Sequence, residues 1–237
     1  MNENNTKKTW TDTTGIEIKS FRSFSEDWMQ ALVRELQKPP EAAQNRLAGR
    51  MRPHVFECED FGRVVIKHYF RGGILRHVNR RTYVKTGKTR SHAEFDMLRH
   101  VRNIGINAPL PVAFASKTFG RVFYHAWLVT KEIPGAQTLA ALSRSVPGRA
   151  EAVLPETAAQ INTLIRNGVL HVDLHPGNIL VDAENRVYVI DFDKAEIGGK
   201  NEAVLAGYYR RRWERAVFKH ALPLFLQEQI KKAVQHG

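Results

Sequence analysis

Apolar residues recur along this chain with two different periods, and the change from one to the other organises it. Trp28, Leu32, Val33 and Leu36 return at helical spacing between Phe24 and Gln37, behind Ser25 as a candidate cap, and Pro39-Pro40 ends the run. The stretches His54–Glu59 and Arg63–Tyr69 are short and β-rich around a turn-like Glu59-Asp60-Phe61-Gly62, which predicts a hairpin. Ser91–Ile104 goes back to the helical period through Phe95, Leu98 and Val101 and stops at Gly105. Val112–Ser116 and Val122–Thr130 then read as two strands around a turn at Lys117–Gly120. These elements predict a small antiparallel sheet with one helix.

After Lys131-Glu132-Ile133-Pro134-Gly135 the pattern becomes mainly helical: Thr138–Ser143, then Ala150–Asn167 with Pro155 marking its first real turn, and helices from Glu202 to about Val234. Two short strands, Ile179–Val181 and Val187–Ile190, interrupt this around an Asp-Ala-Glu-Asn turn. The class expected is α+β in two lobes, with residues 15–132 forming the sheet lobe and 133–237 the helical one. Residues 1–14 are polar and expected to be disordered or tag-like.

Composition narrows the setting. The 237 residues are 43% hydrophobic and 25% charged, which suits a globular chain rather than a disordered or fibrous one. Cys58 is the single cysteine, so neither an internal disulfide nor a Cys-x-x-Cys metal or redox motif can form, and a reducing compartment is expected. The start is too polar for a signal peptide, and no apolar run reaches the ~18–20 residues of a membrane span, so a cytosolic location is expected.

The net charge of +12 calls for an anionic partner: nucleic acid, an acidic membrane or an anionic substrate. Its distribution is uneven. No acidic residue lies between Asp60 and Glu94, whereas Arg63, Lys67, Arg71, Arg76, Arg80, Arg81, Lys85, Lys88 and Arg90 all do. No nucleic-acid-binding motif accompanies them.

Chemistry concentrates in His171-Val-Asp173-Leu-His175-Pro-Gly-Asn178, followed by Val-Ile-Asp191-Phe192-Asp193. Phosphoryl transfer needs a carboxylate to orient and deprotonate the attacking hydroxyl, and oxygen ligands to hold Mg²⁺ against the phosphates. The two flanking strands bring Asn178 and Asp191 to the same end of a hairpin, with Asp173 beside them. Turn-forming Asp and Asn residues are the bland alternative, and it leaves the spacing unexplained. Neither His171 nor His175 has partners at zinc-ligand spacing. His171 reads as a loop-holding residue rather than a base.

The pattern resembles the kinase loop H-x-D-x-x-x-x-N and the metal-binding D-F-G triplet, with Asp193 where the glycine usually stands. The resemblance implies a protein-kinase-like fold, with Lys67 for the ATP phosphates, Glu94 as its ion-pair partner and Asp96 as a weaker rival. It implies further that the backbone of the connector at Glu132 and Ile133 meets adenine. A glycine-rich phosphate loop is missing upstream of Lys67. Either amides after Gly49 approach the phosphates, or Arg50 and Arg52 supply charge instead; a plain surface turn fits Gly49-Arg50 equally well.

The 44 residues that follow Asp193 are too few for a peptide-binding platform, which favours a small-molecule, sugar or lipid acceptor. Val64–Gly73 (VVIKHYFRGG), Ala93-Glu94-Phe95 with Leu98-Arg99, Thr130–Gly135 and Ile190–Lys194 (IDFDK), in this order, resemble the lipopolysaccharide kinase family. The resemblance implies ATP and Mg²⁺ as cofactors, Asp173 as base, and Asn178 and Asp191 as metal ligands. It also implies a hydroxyl of the Kdo (3-deoxy-D-manno-octulosonic acid) sugar on lipid A precursor as acceptor, at the cytoplasmic face of the inner membrane.

Under that resemblance Arg71, Arg76, Arg80, Arg81 and Lys85 are expected to draw in an anionic glycolipid or membrane surface, each contributing about 1 kcal/mol. Tyr69, Phe70 and Tyr83 are expected at the interface. Tyr208–Trp213 with Arg215 has the Arg-plus-aromatic character of an interfacial helix or, more simply, of a solvated helix face. Heptose or other small-molecule kinases, a Rio-type protein kinase, and a basic nucleic-acid-binding pseudokinase are the alternatives.

Overall fold

A computed structural model describes residues 7–38, 54–58, 61–69, 83–84, 87–119 and 123–234. Gly49, Arg50, Arg52, Phe70, Arg71, Arg76, Arg80, Arg81 and Lys85 lie outside the described residues, and so do their expected roles. The chain divides into two compact units: one runs to Asp96 and resumes over Leu110–Glu132, the other holds Met97–Pro109 and everything from Ile133 onward.

The first unit is built on an antiparallel sheet. Its strands are β1 (Lys8–Thr11), β2 (Ile16–Ser20), β3 (His54–Cys58), β4 (Gly62–His68), β5 (Tyr83–Val84), β6 (Pro111–Phe119) and β7 (Phe123–Lys131). Their order is β1-β2-β6-β7-β4-β3, with β5 also paired to β7. The sheet is therefore wider than the two expected hairpins. Residues expected to be disordered form β1, which pairs with β2 through Lys8↔Ser20 to Thr11↔Glu17. The long strands β6 and β7 also continue through the expected turn at Lys117, pairing as far as Phe119↔Phe123.

Helix α1 (Glu26–Gln37) starts where Ser25 Oγ accepts the Trp28 N–H at 3.2 Å, and Glu26 and Asp27 complement the positive end of its dipole. Its apolar stripe, Trp28, Met29, Leu32, Val33 and Leu36, packs with Ile16, Ile18, Val64, Ile66, Val112, Ala113, Ala115 and Val129 on one face of the sheet. Both helical runs read from the sequence, Phe24–Gln37 and Ser91–Ile104, are thus present as α1 and α2 (Arg90–Asn103). Because strand side chains alternate, Lys67 falls on the opposite face from Val64 and Ile66. Cross-strand pairs Lys67↔Leu128 and Leu128↔Phe114 continue that second face, where Phe95 of helix α2 meets Phe114 with ring centroids 5.0 Å apart.

The second unit takes in the second half of α2 and the segment to Pro109, which the sequence pattern had grouped with the sheet. The reason is local hydrogen bonding and burial. Asn107 O accepts Val189 N–H at 2.8 Å, its N–H donates to Gln160 Oε1 at 2.9 Å, and Leu98, Val101, Ile106 and Ala108 are buried. Beyond Ile133 come β8 (Gln137–Thr138), α3 (Leu139–Ser145), α4 (Pro147–Ala152), α5 (Leu154–Arg166), β9 (Val169–Leu170), β10 (Ile179–Val181), β11 (Val187–Val189), β12 (Glu196–Ile197), α6 (Glu202–Lys219) and α7 (Phe225–Ala233). The expected helix from Ala150 is two helices broken at Val153, with Pro155 in the first turn of α5, where its missing N–H costs nothing. At the end of α5 Gly168 takes φ +62°, a left-handed position that L side chains adopt reluctantly. Helices α5, α6 and α7 pack on one another around Ile161, Leu164, Ile165, Leu205, Trp213, Leu226 and Ile230, all buried.

None of the described helices is long and apolar enough to cross a membrane. Leu32 is fully buried where α1 meets the sheet, so Leu32→Ala leaves a cavity under it. A loss of about 2–5 kcal/mol, read from the denaturant midpoint at an unchanged slope, is expected.

Candidate active site

In the first unit, Lys67 Nζ donates to both carboxylate oxygens of Glu94, at 2.9 and 2.7 Å. Glu94 is only 3% exposed, and its oxygens are satisfied by that partner and by Tyr69, whose hydroxyl also bonds Glu94 Oε2. The Arg90 guanidinium lies 5.4 Å from the centre of the Tyr69 ring. Tyr69 is therefore buried in the ion-pair cluster and not at a membrane interface. Its place could have been read from the strand period, which sets it two residues beyond Lys67.

Asp96, the rival for Lys67, belongs to a separate group with Lys7 at 2.8 Å, Lys88 at 2.9 Å and His92 at 3.2 Å. Burial pushes the Asp96 carboxyl up, but bonds to the two lysines outweigh it and hold the group below its ordinary value. In the connector, the Glu132 N–H donates to Arg63 O at 2.9 Å, and its carboxylate pairs with Arg63 Nε at 3.1 Å. That amide is committed within the sheet, while Ile133 O accepts from Ala136 N–H at 3.3 Å.

The second unit carries the loop between β9 and β10. His171 is buried. Its ring accepts the Asp173 N–H at Nδ1, 3.3 Å, and contacts Ile190 O from Nε2 at 3.0 Å. A proton on Nε2 satisfies both bonds, so the ring ties the loop to the strand that precedes Asp191 and has no nitrogen left to act as a base. Asn178, fully buried at the end of a 3₁₀ turn (Pro176–Asn178), donates from Nδ2 to Asp173 O at 2.7 Å. Its own backbone oxygen accepts Ile190 N–H at 3.0 Å. The β10–β11 register, Ile179↔Val189, then puts Asn178 and Asp191 at one end of the hairpin. Asp191 has φ +68°, a left-handed conformation uncommon outside glycine that Asp tolerates better than most, and buried Phe192 anchors the chain after it.

Asn178 and Asp191 offer a carboxamide and a carboxylate, the hard oxygen donors that suit Mg²⁺. The other end of the hairpin is fastened by Asp182. Its carboxylate accepts the N–H groups of Glu184 and Arg186 at 3.1 and 2.9 Å and Arg186 Nε at 2.6 Å, with Tyr188 Oη at 3.2 Å.

Helix α6 supplies what the sequence pattern missed. Tyr208 Oη donates to Val172 O at 2.7 Å; Tyr209 Oη donates to Val169 O at 2.5 Å and accepts the His171 N–H at 2.8 Å. Burial pushes the Tyr209 hydroxyl well above the ordinary tyrosine value, so it stays protonated. Arg212 Nη2 bonds Asp173 Oδ1, and His175 Nε2 stands 3.7 Å from the same oxygen. Tyr209 and Trp213 are 1% exposed, and the Trp213 indole N–H donates to Leu226 O at 3.0 Å. Tyr209 and Trp213, expected on an interfacial helix, are thus inside the unit. The signal was available in the 208, 209, 212, 213, 216 spacing, a single helical face.

These arrangements meet two relations. The Lipopolysaccharide kinase (Kdo/WaaP) family matches residues 37–223. The chain belongs to this family. Among curated proteins, 3-deoxy-D-manno-octulosonic acid kinase of Vibrio cholerae serotype O1 is 32% identical over 161 residues, 66% of this chain and 68% of that protein. The kinase of the same name from Vibrio vulnificus is 36% identical over 131 residues, 54% of this chain and 55% of its own length. That of Stenotrophomonas maltophilia is 34% identical over 139 residues, 58% and 55% respectively. Among solved structures, WaaP in complex with acyl carrier protein aligns with a TM-score of 0.56 over 90% of this chain and 87% of that one. At 14% identity the likeness speaks for the fold alone, which is protein-kinase-like. The lipopolysaccharide kinase is an enzyme of the phosphotransferase class with a hydroxyl acceptor.

Burial raises the Asp182 carboxyl, but bonds from Arg186 and its neighbours outweigh this and hold it below its ordinary value of 3.8. A depressed folded pKa stabilises fully above the unfolded value, and that contribution is lost as pH falls through the folded one. The stability advantage of the unmodified protein over Asp182→Asn is therefore expected to be full at neutral pH and to shrink below about pH 4, measured by thermal melting across acid buffers.

Proposed function

We propose that this lipopolysaccharide kinase transfers the γ-phosphoryl group of ATP to a hydroxyl of the Kdo sugar on a lipid A precursor, at the cytoplasmic face of the inner membrane. The observation that carries the chemistry is the fixed Asp173–Asn178 pair, in which the Asn178 carboxamide holds the backbone of the candidate base 2.7 Å away. The Kdo acceptor rests on the relatives that carry the name of Kdo kinase.

Asp173 orients the acceptor hydroxyl and takes its proton as the new oxygen–phosphorus bond forms and the bond to the β,γ-bridging oxygen breaks, releasing ADP. Lys67, fixed by Glu94, places positive charge on the α- and β-phosphates. Asn178 and Asp191 hold Mg²⁺, which neutralises charge on the phosphates when bound. Ile133 and its neighbours contribute backbone to the adenine site. Of the basic residues expected to meet the anionic glycolipid, Arg71, Arg76, Arg80, Arg81 and Lys85 keep that assignment. Arg63, Lys67 and Lys88 of the same stretch have acidic partners in Glu132, Glu94 and Asp96.

Incubation with Mg-ATP and Kdo-bearing lipid A precursor is expected to release ADP and add one phosphate to the acceptor by mass. Asp173→Asn lowers that rate by roughly 10²–10⁴-fold with an unchanged melting profile. Turnover of heptose-extended cores with none on Kdo would falsify the acceptor assignment. In a separate kinetic series, Lys67→Met is expected to cut kcat/KM for ATP by roughly 100-fold, and wild-type values would show that the Lys67–Glu94 pair does not serve the nucleotide.

A further inference from the structure

Two of the carboxylates that the mechanism uses are already paired with cations, and the two pairs have opposite consequences. The Lys67–Glu94 pair holds a lysine in place for phosphates, which is an asset. The Arg212–Asp173 pair occupies the carboxylate oxygen that the acceptor hydroxyl has to reach. Arg212 is also poorly supplied with other partners. Its Nε is buried with no hydrogen-bond partner among the described residues, burial pushes its guanidinium below the ordinary arginine value, and Arg215 nearby pushes the same way. With five N–H donors in a planar fork, Arg212 has the capacity for an oxyanion in addition to, or in place of, Asp173.

Position restricts which oxyanion. The Arg212 side chain reaches the candidate base from α6, while Tyr208 and Tyr209 from the same face are occupied with the backbone of the loop. Any hydroxyl that Asp173 activates must come within hydrogen-bond reach of its carboxylate, and an anionic substituent elsewhere on the same sugar then lies within reach of the long Arg212 side chain.

We propose that Arg212 reads the carboxylate of the acceptor sugar: the acceptor's own anion takes the guanidinium and releases Asp173 to act as base. This rests on the Kdo reading above, since an ulosonic acid carries a carboxylate and a neutral heptose does not. Arg212 is thus a specificity-determining residue, and it leaves the Asp173 oxygen free only when the correct acceptor is present. No covalent change occurs at Arg212; one ion pair is exchanged for another.

The test uses the full chain and a water-soluble, deacylated Kdo glycoside, so that membrane attachment plays no part. With the unmodified protein, converting the acceptor carboxylate to its methyl ester is expected to raise the acceptor KM about 10- to 100-fold, with KM for ATP unchanged. In Arg212→Ala, acid and ester are expected to be used alike, with the acceptor KM raised towards the ester value; Arg212→Lys restores part of the preference, and Arg211→Ala, on an exposed neighbour, keeps all of it. An unmodified protein that turns over acid and ester equally well overturns the proposal without recourse to any variant. So does an Arg212→Ala protein that still prefers the acid. If the unmodified protein turns over no Kdo acceptor at all, the functional reading fails and this inference with it, an outcome separate from the other two.

Discussion

The loop from His171 to Asn178 has to keep a carboxylate at the surface while its own backbone lies in a dry interior, and most of the second unit follows from that constraint. A loop has no ladder to satisfy its amides and carbonyls, and a buried unpaired one costs about 1–3 kcal/mol. Here side chains do the work of a ladder. Tyr209 serves Val169 O and the His171 amide, Tyr208 serves Val172 O, His171 serves the Asp173 amide, and Asn178 serves Asp173 O. Each of these groups is buried or half-buried, so the loop has one conformation only while α6 and the β10–β11 hairpin are packed around it.

That dependence extends to Asn178. Its N–H₂ end is spent on the loop, while its carboxamide oxygen is the donor proposed for a hard cation. The side chain is thereby oriented by the same bond that positions Asp173, so an error in one displaces the other. Asp191 is set by different means, a left-handed backbone turn between the β11 strand and buried Phe192. Asp in place of glycine two residues later, at Asp193, moves no positive φ onto that position; the next left-handed residue is Lys194, at φ +67°.

Elements whose apolar period was long or whose cap was explicit were legible in the sequence: α1 with Ser25, the start of α3 at Thr138, the paired β10 and β11 strands. The Lys67–Glu94 pair was implied by the kinase resemblance, with Asp96 as the rival that the structure places with Lys7, Lys88 and His92 instead. What was hidden depends on pairing between distant segments. β1 has no alternation of its own and exists because β2 offers it an edge. The stretch 97–109 looks like a continuation of the sheet lobe until Asn107 is seen to bridge Gln160 and Val189. Tyr208–Trp213 is rich in arginine and aromatics, and composition cannot tell an interfacial face from a packed one. Only the helical angle between 209, 212 and 213 does so, and it points inward.

The excess of positive charge changes meaning once partners are counted. Arg63, Lys67 and Lys88 are tied to Glu132, Glu94 and Asp96, and of these the Lys67–Glu94 pair fixes strand β4 to helix α2 within the sheet unit. The exposed pairs of Arg63 and Lys88 stabilise little individually, yet each removes a cation from the set available to an outside anion. Arg212 is the instructive exception. It is paired as well, but with the carboxylate proposed as the base, so on that proposal its charge is held in reserve until an acceptor anion takes the guanidinium. A basic chain need not bind its anion with the charges that are most exposed.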